Sequence, residues 1–329
     1  MKSSNSNLSR GYSIALLSAV ILSTTAIFIR YLTQTYHIPA LVLALWRDAF
    51  VVITLLPILR VFRPLLLKVN RQHLLFLATY GLILAIFNSL WTLSVALNGA
   101  AIATVLVYCS AGFTALLGWW FLKENLGWAK ILAVLLSLGG CVLVANALDP
   151  AAWHANLAGI LAGTLAGLGY AVYSLMGRSA SLRGLNSWTS LFYIFVFATI
   201  FLLGFNLLPD GWLPGTATRP GDFFWLGNAI SGWVILFLLA AGPTILGFGL
   251  YIVSLSYLPS SVANLIVTLE PVFTALIAYV LLGERLNGIQ IAGGLMIFAG
   301  VIFLRVYEGR ITEQNESKLQ KAANPASTD

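Results

Sequence analysis

Residues 110–126 read SAGFTALLGWWFLKENL, and residues 270–286 read EPVFTALIAYVLLGERL. The two stretches stand 160 positions apart and share Phe113-Thr114-Ala115-Leu116 with Phe273-Thr274-Ala275-Leu276. They also share Leu122-x-Glu124-x-Leu126 with Leu282-x-Glu284-x-Leu286. The same offset lays 103–143 on 263–303 without a gap, with 12 of 41 pairs identical. An offset of 148 sets Gly11 and Arg30 on Gly159 and Arg178. Self-similarity of this extent marks a chain built from two related units.

Each copy sits in strongly apolar sequence. Of 329 residues, 59% are hydrophobic and 9% are charged, against about 25% charged in soluble domains. The mean hydropathy is +0.90. No single water-soluble core could hide that much apolar surface, so the composition reads as a polytopic membrane protein. Taking roughly 20 apolar residues per spanning helix, ten spans are expected: 12–33, 40–59, 72–97, 101–122, 127–147, 156–178, 187–208, 229–257, 260–282 and 287–306. The first is read as an uncleaved span, because Arg30 follows it where a cleavage site would need small residues. Tight connections such as Asn98-Gly99-Ala100 and Leu258-Pro259-Ser260 suit antiparallel neighbours in an all-α bundle.

Basic residues orient the bundle. Fourteen of the 18 Lys and Arg fall on one side of this layout, three (Arg30, Arg219, Arg285) on the other, and Arg47 lies within a span. Both termini are therefore expected in the cytoplasm. The net charge of +7 is used up in this way and forms no stripe for nucleic acid. Cys109 and Cys141 sit in apolar runs, which argues against a disulfide framework or metal knuckle. The expected units are a first five-helix repeat over 1–147, a second over 156–307, and a disordered cytoplasmic tail over 308–329. Segment 209–228, with Trp212 and Phe223-Phe224-Trp225, reads as an outside loop with aromatics at the membrane interface.

Five helices per unit is an odd number, so the two units begin on opposite faces. Glu124 is then inside and Glu284 outside. Inverted-topology repeats recur in secondary transporters, whose sites lie near the midplane between the two halves.

The five-plus-five layout, Leu45-Trp46-Arg47, Glu270-Pro271 and the helix end Leu282-Gly283-Glu284-Arg285-Leu286 resemble the EamA family of the drug/metabolite transporter superfamily. The resemblance covers roughly residues 10–306 and fits most closely over 263–286. In the first half Ser110-Ala111 stands where Glu-Pro is frequent, and Lys123 replaces the helix-end glycine. The resemblance implies a multi-pass carrier of the inner (plasma) membrane that exports small metabolites, amino acids or drugs through a cavity between the halves.

Only Arg47, Asp48 and Glu270 are charges clearly inside spans, where each costs about 2.5–3.5 kcal/mol unless partnered or hydrated. Arg47 is expected to anchor a substrate carboxylate or to make a structural ion pair. Glu270 is expected to couple a proton or to pair. Adjacent helical residues diverge by about 100°, so Asp48 is expected to cap or pair locally. Pro271 should loosen its helix, and Gly242-Pro243 is a candidate kink.

Polar stripes mark the candidate cavity: Tyr80, Asn88, Trp91, Ser94 and Asn98 in the third span, and Thr244, Phe248, Tyr251 and Ser254 in the eighth. Thr104 and Tyr108 are matched by Asn264 and Thr268, and Tyr170 and Tyr173 add aromatics. The residues expected to touch substrate are Arg47, Asn88, Trp91, Tyr108, Tyr173, Tyr251, Asn264 and Thr268. Interhelical hydrogen bonding is the plainer account of any one of them.

No cofactor, metal or nucleic-acid partner is expected. The partners are a small-molecule substrate and the lipid bilayer, with the chain a monomer or weak dimer. Two other readings stand beside the exporter. One is an integral-membrane enzyme acting on a lipid-soluble substrate, although His37, His73 and His154 are scattered and no P-loop occurs. The other is a carrier of phosphorylated sugars or nucleotide-sugars. Impermeant thiol reagents should modify a cysteine placed at 124 only from the cytoplasmic face and one at 284 only from the external face. The reverse pattern would overturn the inverted-repeat reading.

Overall fold

The computed structural model describes residues 2–145, 147–148, 157–209, 213–282 and 287–323. In chain order the helices are α1 (Lys2–Leu22), α2 (Thr25–Tyr36), α3 (Ala40–Phe62), α4 (Arg71–Tyr108), α5 (Ser110–Leu122), α6 (Trp128–Val144) and α7 (Leu157–Leu182). Then follow α8 (Ser187–Asn206), α9 (Ile230–Leu239), α10 (Gly249–Ser254), α11 (Ser260–Val267), α12 (Glu270–Leu282) and α13 (Gly288–Ala323). A π-helical segment, Ala240–Phe248, joins α9 to α10.

Among the described residues, nine helical stretches are long and apolar enough to cross a membrane. The tenth expected span, 127–147, holds the shorter apolar helix α6, whose 17 residues reach about 26 Å at 1.5 Å per residue. The tail, expected as disordered over 308–329, is described as far as residue 323. Helix α13 continues to Ala323, because its Glu, Gln, Lys and Ala residues are good helix formers despite their polarity. Residues 324–329 lie outside the described residues, as do Trp212, Gly283, Glu284 and Arg285, and so do the side chains of Arg30 and Asn98.

Helical geometry persists through α4, yet the chain reverses within it. A Cβ on Gly163 would lie 2.6 Å from Ser94 Oγ and 2.7 Å from Leu106 Cδ1. A straight helix would hold residues 94 and 106 about 18 Å apart. The backbone therefore doubles back between them, in the interval that contains Asn98-Gly99-Ala100.

The helices are interrupted where polar residues can take over lost backbone bonds. Pro243 has no N–H to reach the Leu239 carbonyl, and Thr244 Oγ1 donates to that carbonyl at 2.8 Å, inside the π-helical turn. Ser23 and Thr24, between α1 and α2, turn their hydroxyls onto Val20 O (2.6 Å) and Ile21 O (2.8 Å). The break between α4 and α5 falls at Cys109, and that between α11 and α12 at Thr268-Leu269. At the offset of 160 these breaks coincide, and α5 and α12 each have 13 residues.

Packing follows the same correspondence. Helix α7 lies along α4 and α5, whereas α1 lies along the π-helical segment, α10 and α11. Helices α6 and α13 cross at small residues. A Cβ on Gly140 would stand 2.6 Å from Gly293 O, and one on Gly300 2.9 Å from Ala133 O. Adding 160 to 140 and subtracting it from 293 turns the first contact into the second, as a two-fold relation requires.

The two ends of the bundle differ. At one end Arg10 lies over the Tyr257 ring (5.6 Å), Arg183 over Phe76 (4.3 Å) and Arg305 over Tyr12 (5.3 Å). Arg178 Nη1 donates to Leu255 O at 2.8 Å at that end. At the other end the segment after α8 is strapped down by indoles: Trp46 Nε1 donates to Phe223 O, and Trp225 Nε1 to Tyr36 O. The Thr218 hydroxyl and the backbone N–H groups of Arg219 and Thr218 converge on Asp222. They hold that exposed carboxyl below its ordinary range, the Thr218 hydroxyl first among them.

Gly140→Leu should lower stability by about 1–3 kcal/mol or more through overpacking, read as a lower Tm in detergent. Gly204→Ala, whose Cβ would meet nothing within 4 Å, should hold or raise Tm, since alanine gains about 0.5–1 kcal/mol over glycine inside a helix.

Candidate substrate site

Helix α3 carries Arg47 and Asp48 into the bundle with 2% and 0% of their surface exposed. Neighbouring residues leave a helix about 100° apart, and the long Arg47 stem closes that gap. Its Nε donates to Asp48 Oδ1 at 3.2 Å. Asn88 Nδ2, from α4, donates to Asp48 Oδ2 at 3.0 Å. Asp48 thus pairs locally, as its position suggests, and its partner is Arg47 itself. Arg47 Nη2 has no hydrogen-bond partner among the described residues.

Tyr173 of α7 lies within electrostatic reach of Asp48 and starts an aromatic cluster. Its ring centroid is 4.9 Å from Tyr80, 5.8 Å from Phe248 and 6.4 Å from Tyr251. Tyr170 stacks on Phe87 at 5.1 Å and faces Tyr251 at 5.7 Å. The Tyr80 and Tyr173 hydroxyls approach each other without hydrogen-bonding geometry, and neither has a partner among the described residues.

A hydrogen-bonded chain runs beside these rings. Ser110 Oγ donates to Asn264 Oδ1 at 3.1 Å, and Asn264 Nδ2 donates to Ser174 Oγ at 3.1 Å. Ser174 also lies 2.6 Å from the Tyr251 hydroxyl, and its own proton goes to Tyr170 O at 2.7 Å. Ser110 begins α5 and Asn264 lies in α11, so the two interrupted helices are tied across the centre.

Glu270 begins α12. Its carboxylate sits at the positive end of that helix, and Pro271 in the first turn forfeits no intrahelical bond. The helix is therefore broken just before Pro271, in line with the sequence. The Tyr108 hydroxyl lies against the Glu270 carboxyl, and Tyr170 is within its electrostatic reach. Glu270 is half-buried, unlike Asp48.

Arg47, Asp48, Asn88 and Tyr173 are thus brought together, and so are Tyr251 and Asn264. Tyr108 and Glu270 form a further pair joined to the others through Tyr170. Trp91 is half-buried and packs on two apolar clusters with no place in this chain of contacts. Thr268 spends its hydroxyl on Leu265 O at 2.6 Å. Ser94 bonds Gly159 O and Ser254 bonds Tyr251 O. Those three hydroxyls satisfy backbone carbonyls, the plainer of the two roles weighed for the stripes. Ser174 was missed. Its only sequence signal is its place four residues after Tyr170 and next to Tyr173.

Asp48→Asn would leave Arg47 buried without a counter-charge. Removing one partner of a buried pair costs about 3–5 kcal/mol, so the variant should melt well below wild type. The double change Arg47→Met/Asp48→Leu should recover most of that loss.

The model of the EamA-like transporter family matches residues 9–146 and 157–306. A protein of Archaeoglobus fulgidus described as an uncharacterized transporter is 27% identical over 224 residues, covering 67% of this chain and 73% of its own. An S-adenosylmethionine uptake transporter of Rickettsia bellii is 25% identical over 289 residues, covering 88% and 91%. A solved crystal structure superposes with a TM-score of 0.69 at 17% identity, over 91% of this chain and 98% of that one, which speaks for the fold alone. With its apolar helices, the protein is a multi-pass protein of the plasma membrane, and it belongs to the EamA-like transporter family.

Proposed function

We propose that the protein is a secondary transporter that moves small, partly apolar metabolites by alternating access of the central cluster to the two membrane faces. Amino acids and amphipathic drugs are the leading cargo classes. The observation that carries this reading is that Arg47 Nη2, Tyr80 Oη and Tyr173 Oη are among the eight buried side-chain atoms with no hydrogen-bond partner among the described residues. Buried polar atoms are nearly always hydrogen-bonded, so such a set at the bundle centre suits a solute that supplies acceptors. A carboxylate meets that need. The rings of Tyr170, Tyr173, Tyr251 and Phe248 accept an apolar body, and Glu270 beyond Tyr170 accepts an amine or a proton. Within this reading the two units are inverted repeats, and the end that carries Arg10, Arg178, Arg183 and Arg305 faces the cytoplasm. One chain holds the whole site, so a monomer suffices.

S-adenosylmethionine, named for the Rickettsia relative, joins an amino-acid head, a cationic sulfonium and an aromatic base. It therefore belongs in the substrate panel. Polyanionic sugar phosphates are disfavoured. The buried cations among the described residues are Arg47 and Lys130; Arg47 already has Asp48, and Lys130 shares Ser261 with Glu124.

In proteoliposomes, saturable flux is expected for amino acids, S-adenosylmethionine or amphipathic cations, and none for sugar phosphates. Vesicles of both orientations read the direction. The family resemblance implies export, whereas the Rickettsia protein is named for uptake. Glu270→Gln should abolish dependence on a pH gradient while the protein stays folded, and gradient-driven flux unchanged in that variant contradicts the proton role. A panel blank for every solute, with turnover of an added lipid, would favour a membrane enzyme.

A further inference from the structure

We propose that Glu124, Ser260, Ser261 and Lys130 form a latch that closes the basic end of the bundle more firmly than the opposite end can be closed. The latch thereby sets the face toward which the empty protein opens. This rests on the alternating-access reading above.

The latch is built by a helix end. The last residue of α5, Leu122, is followed by Lys123 in the left-handed conformation (φ 56°), the position helices prefer to give to glycine. The next N–H, that of Glu124, returns to Gly118 O at 3.1 Å. This turn aims the Glu124 carboxylate at the start of α11. There Oε1 accepts from Ser260 N (2.7 Å) and Ser260 Oγ (2.6 Å), while Oε2 accepts from Ser261 N (3.2 Å) and Ser261 Oγ. Lys130 of α6, only 5% exposed, donates to Ser261 Oγ at 3.0 Å. A carboxylate at a helix N-terminus is favourable, and charge-assisted hydrogen bonds are among the strong ones. The space is shaped for the carboxylate, because a Cβ on Gly118 would come within 2.9 Å of Glu124 Oε2.

The same turn is gripped from its other side by α1. Arg10 lies over Tyr257, and a Cβ on Gly11 would meet Tyr257 Cβ and Leu258 Cγ at 2.8 Å. The bonds of Glu124 and Lys130 join α5 and α6 to the start of α11, so parting these helices at this end must break them together.

The repeat shows what the opposite end has in their place. At the offset of 160, Glu124 corresponds to Glu284, Ser260 and Ser261 to Ala100 and Ala101, and Lys130 to Gln290. The carboxylate is kept, but both hydroxyls and the ammonium are gone. Gln290 instead donates to Val144 O at 3.2 Å. A closure there, built from the corresponding residues, would lack both hydroxyls and the cation.

Pulsed dipolar spectroscopy tests this with spin labels at Asn125→Cys and Ser256→Cys in a Cys109→Ser/Cys141→Ser background. Both label sites are exposed and lie on either side of the clasp. The empty wild-type protein should give one dominant short distance. Ser260→Ala/Ser261→Ala should at least double the long-distance fraction. Ala100→Ser/Ala101→Ser/Gln290→Lys should do the same from the far end, with every latch residue intact, which separates a shifted equilibrium from local damage. An unmoved distribution in the first variant overturns the latch. Movement in the first but not in the second overturns the inequality between the ends. The distances need no solute, so a blank flux panel leaves them readable and an unmoved distance leaves the flux result standing.

Discussion

The hydrogen bond from Ser110 Oγ to Asn264 Oδ1 joins two helices that are both interrupted at the bundle centre, and the rest of the interior is arranged around that fact. Within a bilayer, backbone released by a broken helix must be satisfied inside the protein. The breaks at Cys109 and Thr268-Leu269 therefore have to be surrounded by helices bearing small and polar residues. Gly167 lets α7 press onto the first break, where a Cβ would stand 2.9 Å from Leu106 O and 3.2 Å from Val107 O. Ser174, one turn of α7 on from Tyr170, then meets Asn264 and Tyr251. The centre is polar because the helices break there.

The charges obey the same constraint in two ways. Arg47 and Asp48 neutralise each other and are held by Asn88. Such a buried pair contributes little net stability and is retained for arrangement. It fixes the direction of Arg47 Nη2 and brings Asp48 within reach of Tyr173. Glu270 is instead held at a helix N-terminus against a tyrosine, and the residue is half-buried where Asp48 is buried.

Much of this could be read from the residues. The repeat was visible in FTAL and L-x-E-x-L, the reversal near Asn98-Gly99-Ala100 in its turn residues, and one helix break in Glu270-Pro271. Its counterpart at Cys109 was not visible, because Cys109-Ser110-Ala111 contains no helix breaker; the break is set by packing against Gly167. The pairing of Arg47 with Asp48 was hidden by the 100° divergence of neighbours, which says where a Cβ points and not where a five-atom stem ends. Thr244, Ser254, Thr268 and Ser94 have the same spacing as the central polar residues, but their hydroxyls bond backbone carbonyls, local ones for the first three and Gly159 O of α7 for Ser94. Apolar length alone did not show that α6 has 17 helical residues and lies against the glycines of α13.

The central claim is that the partnerless hydroxyls at the bundle centre belong to the solute and not to the fold. Tyr173→Phe removes one of them and nothing else. A hydroxyl with no hydrogen-bond partner among the described residues should be lost with little penalty, so Tm should hold or rise. Affinity for the transported solute, measured by calorimetry on the purified protein, should fall about tenfold, the equivalent of roughly 1.4 kcal/mol. A variant that melts lower than wild type but binds the solute with unchanged affinity would contradict the account.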